Sequence, residues 1–222
     1  MRVEWHGQSA FTLEGGGEKV FIDPFGDTSG LAARGIRFEY PPVAAEGVDL
    51  LLVTHEHADH NGVEAIAGEP HTVRARAGRH ETPLGEVLGV ASEHDEAAGS
   101  ERGANTIFVF GLGGLRVAHF GDFGQTRLRP EQRVAIGAVD LLLLPVGDGP
   151  TIGAERAAEI AAELRPRWVV PMHYRTHRTG FLEPADEFLG LMDRVERLGG
   201  TSFETGDLPD RGGTLTVVPA AP

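Results

Sequence analysis

The stretch that most constrains this chain is VDLLLVTHEHADHNG, residues 48–62, an apolar run that ends on three histidines and two acids between His55 and His60. Such a run predicts a strand buried on both faces, so the polar residues that follow start from inside the core. Unpaired charge at that density beside a core strand would cost several kcal/mol, and a bound cation is the simplest compensation. Histidine is a neutral nitrogen donor near pH 7, while carboxylates offset the charge of a divalent ion. The offset of two between His55 and His57 lets an extended backbone send both rings to one side, and Asp59 and His60 continue from the same turn. One short loop can thus ligate two ions.

The other 207 or so residues supply the scaffold. A chain of 222 residues with 41% hydrophobic content can build one substantial core. It has no cysteine, so any metal is held by nitrogen and oxygen, which suits zinc, with manganese or iron as alternatives. A formal net charge of −13 opposes binding to nucleic acid. No stretch approaches the roughly 20 apolar residues of a membrane span, and MRVEWHGQSAF lacks the apolar centre of a signal peptide. The expectation is a cytoplasmic protein with a small-molecule substrate and no membrane partner; self-association into a homo-oligomer stays open.

The pattern predicts strands in VEWHGQSAFTLE and KVFIDPF, joined by GGGE as an opening hairpin. NGVEAIAG reads as a short helix capped by Asn61, HTVRARAG and GEVLGVAS as strands, and NTIFVFGLGGLRVAHFGD as a hairpin. Helix and strand then alternate: GAERAAEIAAEL opens at Thr151 or Gly153, RWVVPMHY is a strand, and PADEFLGLMDRVERLG is a helix, with TSFETG and GTLTVVP as closing strands. VDLLLLPVGD echoes VDLLLVTHEH, and no linker divides the chain. A single α/β domain over residues 1–222 follows, with sheets packed between helices and a disordered tail at 219–222.

HEHADH resembles the His-x-His-x-Asp-His signature of the metallo-β-lactamase superfamily, and SEHDEA, HFGDFG and VVPMHY are similar to its later motifs in the same order. The opening WHGQSAF with VFIDPF resembles its N-terminal hairpin, and LLLLPVGDGPTIGAERA points to the branch of small hydrolases that includes ascorbate-phosphate lactonase. The resemblance implies a four-layer αββα sandwich and a binuclear centre. His55, His57 and His94 would hold one ion, Asp59, His60 and His173 the other, and Asp122 would bridge them. It also implies that Asp23 holds one liganding histidine in its tautomer.

His94 is the least distinctive of these, since His71, His80 and His119 also precede Asp122; it is preferred because it follows GEVLGVAS at a strand-to-loop transition. His80 is the runner-up, and His119 reads as a core histidine or a partner of a ligand. His6 and Gln8 are candidates for the rim, and Thr151 for a helix cap. Tyr174 and His177 fall on a loop expected at the mouth, where either can donate a proton to a leaving group. Arg127, Arg129, Arg175 and Arg178 form an expected basic rim for an anionic substrate. Two divalent ions in such a set acidify a bridging water, and Asp59 and Asp122 are catalytic candidates with Tyr174 and His177. The expected activity is hydrolysis of a lactone, ester or phosphodiester by metal-bridging hydroxide. The alternatives are a nuclease of the tRNA-processing type, opposed by the acidic charge and the lack of a basic arm, and a metal-binding module without catalysis.

Overall fold

Where the chain reads as continuous apolar runs it forms interior strands, and where it alternates it forms strands with one wet face. The computed structural model describes residues 1–209 and 212–222. The opening folds as three antiparallel strands, β1 (Arg2–Gly7), β2 (Ala10–Gly15) and β3 (Glu18–Ile22). VEWHGQSAFTLE is therefore two strands, broken at Gln8, whose φ of 51° turns the backbone. Next comes β4 (Leu50–Val53), buried along its whole length between parallel neighbours β3 and β5 (His71–Arg74). Strands β6 (Gly78–Thr82), β7 (Gly85–Glu93), β8 (Ala104–Leu112) and β9 (Leu115–His119) meander antiparallel. The apolar runs β10 (Leu141–Pro145) and β11 (Trp168–Met172) then add in parallel, as fully buried strands do. The last strands are β12 (Val195–Arg197), β13 (Ser202–Glu204) and β14 (Leu215–Val218).

Among the described residues, one sheet runs β13-β1-β2-β3-β4-β5 and the other β12-β14-β11-β10-β9-β8-β7-β6. A continuous core joins them through Trp5, Phe11, Leu52, Phe108, Phe110 and Leu142. Burying one such side chain contributes about 1.5–3 kcal/mol, so this layer carries most of the stability. The helices are α1 (Ser29–Ala32), α2 (Pro130–Ile136), α3 (Ala154–Leu164) and α4 (Asp186–Leu191). On α3 the buried residues Ala157, Ile160, Ala161 and Leu164 recur at helical spacing and join the core beside β10. Over the first sheet, Phe21 and Leu51 are covered by Phe25, Tyr40, Val43 and Ile66 from connecting segments. The αββα sandwich is one domain whose outer layer on that side is mostly irregular chain. No helix of the described residues is long and apolar enough to cross a membrane.

Several local expectations differ. NGVEAIAG forms only a single 3₁₀ turn, Val63–Ala65, and Asn61 does not cap it, because its amide donates to Glu56. In PADEFLGLMDRVERLG the helix stops at Leu191, and Val195–Arg197 pairs in parallel with β14, satisfying backbone groups on that strand's free edge. Helix α3 is preceded by Gly153 at its cap, not Thr151. Strand β6, GRHET, gave no apolar signal because both its faces are largely wet. The tail at 219–222 is placed against the protein: Ala220 N–H donates to the Gly200 carbonyl and Arg178 Nε to that of Pro222.

Candidate metal centre

Four strands deliver the polar cluster from their carboxyl ends: His55, His57, Asp59 and His60 follow β4, His94 follows β7, Asp122 follows β9, and His173 follows β11. Both apolar runs singled out above thus end at this rim, β4 in the histidine loop and β10 in the turn that carries Pro150 and Thr151. Close approach of these loops depends on glycine at two places. A Cβ on Gly147 would land on the carbonyl oxygen of His173, and one on Gly124 on that of His94. Gln8, Asp23 and His173 all hold left-handed backbone, φ 51°, 49° and 51°, a strain that the surrounding structure supports.

The hydrogen bonds behind the rings determine which nitrogen faces inward. His94 Nδ1 lies 2.9 Å from the Pro150 carbonyl oxygen, which only accepts, so Nδ1 carries the proton and Nε2 a lone pair. Thr54 Oγ1 donates to Asp23 Oδ2 at 2.7 Å and therefore accepts from His55 Nδ1 at 3.0 Å. His60 Nδ1 donates to the same Asp23 oxygen at 3.0 Å, and Thr151 Oγ1 stands 3.5 Å from His173 Nδ1. Four imidazoles are thereby set with Nε2 toward one space. Asp122 lies at its centre: Oδ2 is 3.1 Å from His94 Nε2, 3.2 Å from His173 Nε2 and 3.9 Å from His55 Nε2, and Oδ1 is 3.3 Å from His60 Nε2.

These donors fit divalent ions. The fully buried His60 Nε2 has no hydrogen-bond partner, and His57 Nδ1 stands 3.1 Å from His55 Nε2, two ring nitrogens that both face the cluster. Three groups bring their ligand atoms within 4.8 Å of one another: His55, His57 and His94; Asp59, His60 and His173; and His55, His60 and Asp122. The third shares members with the other two, so the geometry suits two adjacent ions with Asp122 between them.

Electrostatics agree. Burial, then the neighbouring His60, hold His55 well below the ordinary histidine value, so it stays neutral. For Asp122 burial is the largest influence and opposes ionisation, yet His173 and His60 outweigh it and hold the carboxyl well below its usual range. Burial likewise opposes charge on His60, but Asp122, Asp59 and Asp23 together push it well above its usual value. Protons and cations compete for the same lone pairs.

The structure brings all seven expected ligands together and sorts the remaining candidates. His80 is on a wet strand with Nε2 near the Arg76 carbonyl, and His71 is exposed on β5, both away from the cluster. His119 is fully buried behind it, with Nε2 bonded to the Ser9 carbonyl. Gln8 Nε2 donates to Asp59 Oδ2 at 3.2 Å, whereas His6 bonds Thr12 and stacks on Phe21, outside the site. Tyr174 is a correction: its ring is buried, stacked on Trp5 and absent from the cavity lining, so it does not reach the mouth, and burial also pushes its phenol up. His177 is exposed and outside the residues lining the cavity. The expected basic rim is also corrected, since Arg129 pairs with Glu93, Arg175 with Glu183, and Arg178 binds the chain end, while Arg127 lies outside the cavity lining.

A cavity of about 600 Å³ opens above the cluster, lined by His57, Asp59, His94, Asp122 and His173 on its floor. Its walls hold residues that the sequence did not single out: Leu31, Arg34, Ile36, Arg102 and Phe181. They come from α1 and from loops distant in sequence, and they carry no motif.

Comparison with known proteins places this arrangement. The family described as the β-lactamase superfamily domain matches residues 2–173. A metal-dependent hydrolase of Thermus thermophilus is 33% identical over 201 residues, covering 79% of this chain and 84% of its own. One of Heliobacterium modesticaldum is 31% identical over 209 residues, covering 79% and 83%. A structure from Thermotoga maritima, described as a candidate zinc-dependent hydrolase of the metallo-β-lactamase superfamily, superposes with a TM-score of 0.78 at 30% identity, covering 99% of each chain.

Proposed function

Since the chain belongs to the β-lactamase superfamily, in the branch of its metal-dependent hydrolases, we propose that it is a binuclear hydrolase of lactone, ester or phosphodiester bonds in a small metabolite. The observation that carries this reading is the convergence of imidazole Nε2 atoms on Asp122 at the floor of an open cavity. Closed coordination without access would suit a structural ion; here the ligands face a space large enough for a metabolite. When bound, two divalent ions, zinc with manganese or iron as alternatives, supply Lewis acidity and an acidified water.

The chain's own residues do the rest. Asp122 stands between the two ligand groups and spaces them. Asp23, Thr54 and Pro150 keep Nδ1 protonated on His60, His55 and His94, so that their Nε2 lone pairs stay available, and Thr151 stands beside Nδ1 of His173. Asp59 lines the cavity and is held by Gln8, which positions its carboxylate to orient water and take its proton. The apolar wall from Leu31, Ile36 and Phe181 limits water beside the reacting bond.

The superfamily name does not set the substrate, and β-lactams are not proposed. The test is metal analysis of the purified protein, followed by a screen of lactones, esters and phosphodiesters with zinc, manganese and iron forms. Hydrolysis that needs the ion and is lost in Asp59→Asn supports the reading; a fully loaded protein inert toward all three bond types contradicts it.

A further inference from the structure

The cavity mouth carries two guanidinium groups whose charge the fold does not consume. Arg34 and Arg102 both line the cavity, both are exposed, and neither has a salt bridge among the described residues. In a chain of net charge −13, Arg74, Arg129 and Arg175 each pair with an acid, whereas Arg34 and Arg102 open onto the same cavity without one. Of the carboxylates lining this cavity, Asp59 and Asp122 belong to the histidine cluster and Glu101 remains; Asp95, Glu96 and Asp148 line the adjoining pocket that Arg102 also borders, and Asp95 is taken up by backbone N–H groups.

Both arginines are presented by folded turns. The Asp95 carboxylate accepts the N–H groups of Gly99, Glu101 and Arg102, closing residues 95–102 into a compact loop. In the second turn, the Leu31 carbonyl accepts from Arg34 and Ile36 N–H, with Gly35 at a φ of 75°. Such turns lower the ordering cost of binding. The same cavity is lined by Leu31, Ile36, Pro150 and Phe181, with the Phe181 ring edge-on to His173 at 6.2 Å.

We infer that Arg34 and Arg102 bind the anionic end of the substrate, and that the substrate is a small amphiphile: a terminal carboxylate or phosphate, an apolar body against Leu31, Ile36 and Phe181, and the scissile bond at the histidine floor. Guanidinium suits this task because its planar fork of donors matches carboxylate and phosphate oxygens. This assignment deepens the hydrolase reading and rests on it for the position of the scissile bond.

The test has two arms on the metal-loaded protein. In the first, hexyl phosphate, methyl phosphate and hexanol are titrated by calorimetry into the wild type, Arg34→Ala, Arg102→Ala and the double variant. Hexyl phosphate is expected to bind tightest, and each substitution to weaken it about tenfold, as for a charge-assisted bond at a partly open site. Arg→Lys variants should recover part of the loss, and metal content should stay at the wild-type level, which shows that the variants are folded. In the second arm, the 4-nitrophenyl ester of hexanoic acid is compared with the 4-nitrophenyl monoester of adipic acid, which has the same tetramethylene chain and a carboxylate in place of the terminal methyl. The wild type should favour the anionic ester in kcat/KM, and the double variant should lose that preference, mainly through KM.

The outcomes separate the two claims. Equal preference for both esters with unchanged hexyl phosphate binding in the double variant overturns the anion site and leaves the hydrolase. Arginine-dependent binding of hexyl phosphate without turnover of either ester supports the anion site and counts against hydrolysis. Binding that is strong but indifferent to both substitutions assigns the phosphate to the metal ions alone and overturns the role of the arginines.

Discussion

Asp23 shows how one buried residue governs a centre it does not face. Its two oxygens take the Thr54 N–H, the Thr54 hydroxyl and His60 Nδ1–H, and through that hydroxyl it also orients His55. Replacing it by Asn puts an amide N–H against groups that must donate, so Asp23→Asn is expected to lower metal affinity about 10- to 100-fold. Competition with a chromophoric chelator measures this; unchanged affinity would contradict the tautomer role. The histidine loop was readable because HEHADH carries its chemistry in local spacing, whereas the role of Asp23 in FIDPF was legible only through the family resemblance. Thr151 and Pro150 were not, since their contact with the rings depends on two loops meeting from separate strands. Tyr174 was misplaced for the same reason: the left-handed φ of His173 redirects the chain just before it. His119 offers a pH test. Its Nε2–H donates to the Ser9 carbonyl and its Nδ1 accepts from Gly121, so it is neutral in the fold, and burial holds its pKa below the ordinary value. An unfolded histidine titrates near 6.5, so stability from the neutral ring is complete above about pH 6.5 and is lost as pH falls through the lower folded value. His119→Gln should flatten that part of the Tm–pH curve relative to the wild type; two parallel curves would contradict it.

At the scale of elements, ligand precision comes from strands that end at one rim and from loops that pack without Cβ atoms between them. Gly147 lets its backbone rest on that of His173, and a methyl there has nowhere to go. Gly147→Ala is expected to cost about 1–3 kcal/mol by overpacking and to lower occupancy of the ion at Asp59, His60 and His173 more than that of its neighbour. Urea unfolding and metal analysis check the two effects, and a variant of wild-type stability and occupancy would contradict the close packing. The apolar strands were legible because LLLV and LLLLP admit few alternatives to a buried strand. Strand β12 was hidden in a helical pattern because pairing with β14 overrides local preference, and β6 because an edge strand with two wet faces lacks alternation.

For the whole molecule, the centre is also a fold determinant. It gathers buried histidines and carboxylates from both sheets, and Thr106 N–H on the Thr54 carbonyl ties those sheets at the same place. Chelation should therefore lower Tm, and readdition of zinc or manganese should restore it, because ions that bind only the folded state stabilise it by mass action. A Tm indifferent to chelator would show that the cluster is balanced by protons alone. The overall architecture was readable from the order of motifs, but the cavity walls were not, as they join residues 31–36, 101–102 and 181 only in three dimensions. The central claim, two ions sharing Asp122, is tested most directly by counting metal per chain at saturating metal in the wild type and in Asp122→Ala. Two ions per wild-type chain, with both sites weakened together by the substitution, is the expected result; a single tightly bound ion in the wild type would contradict it.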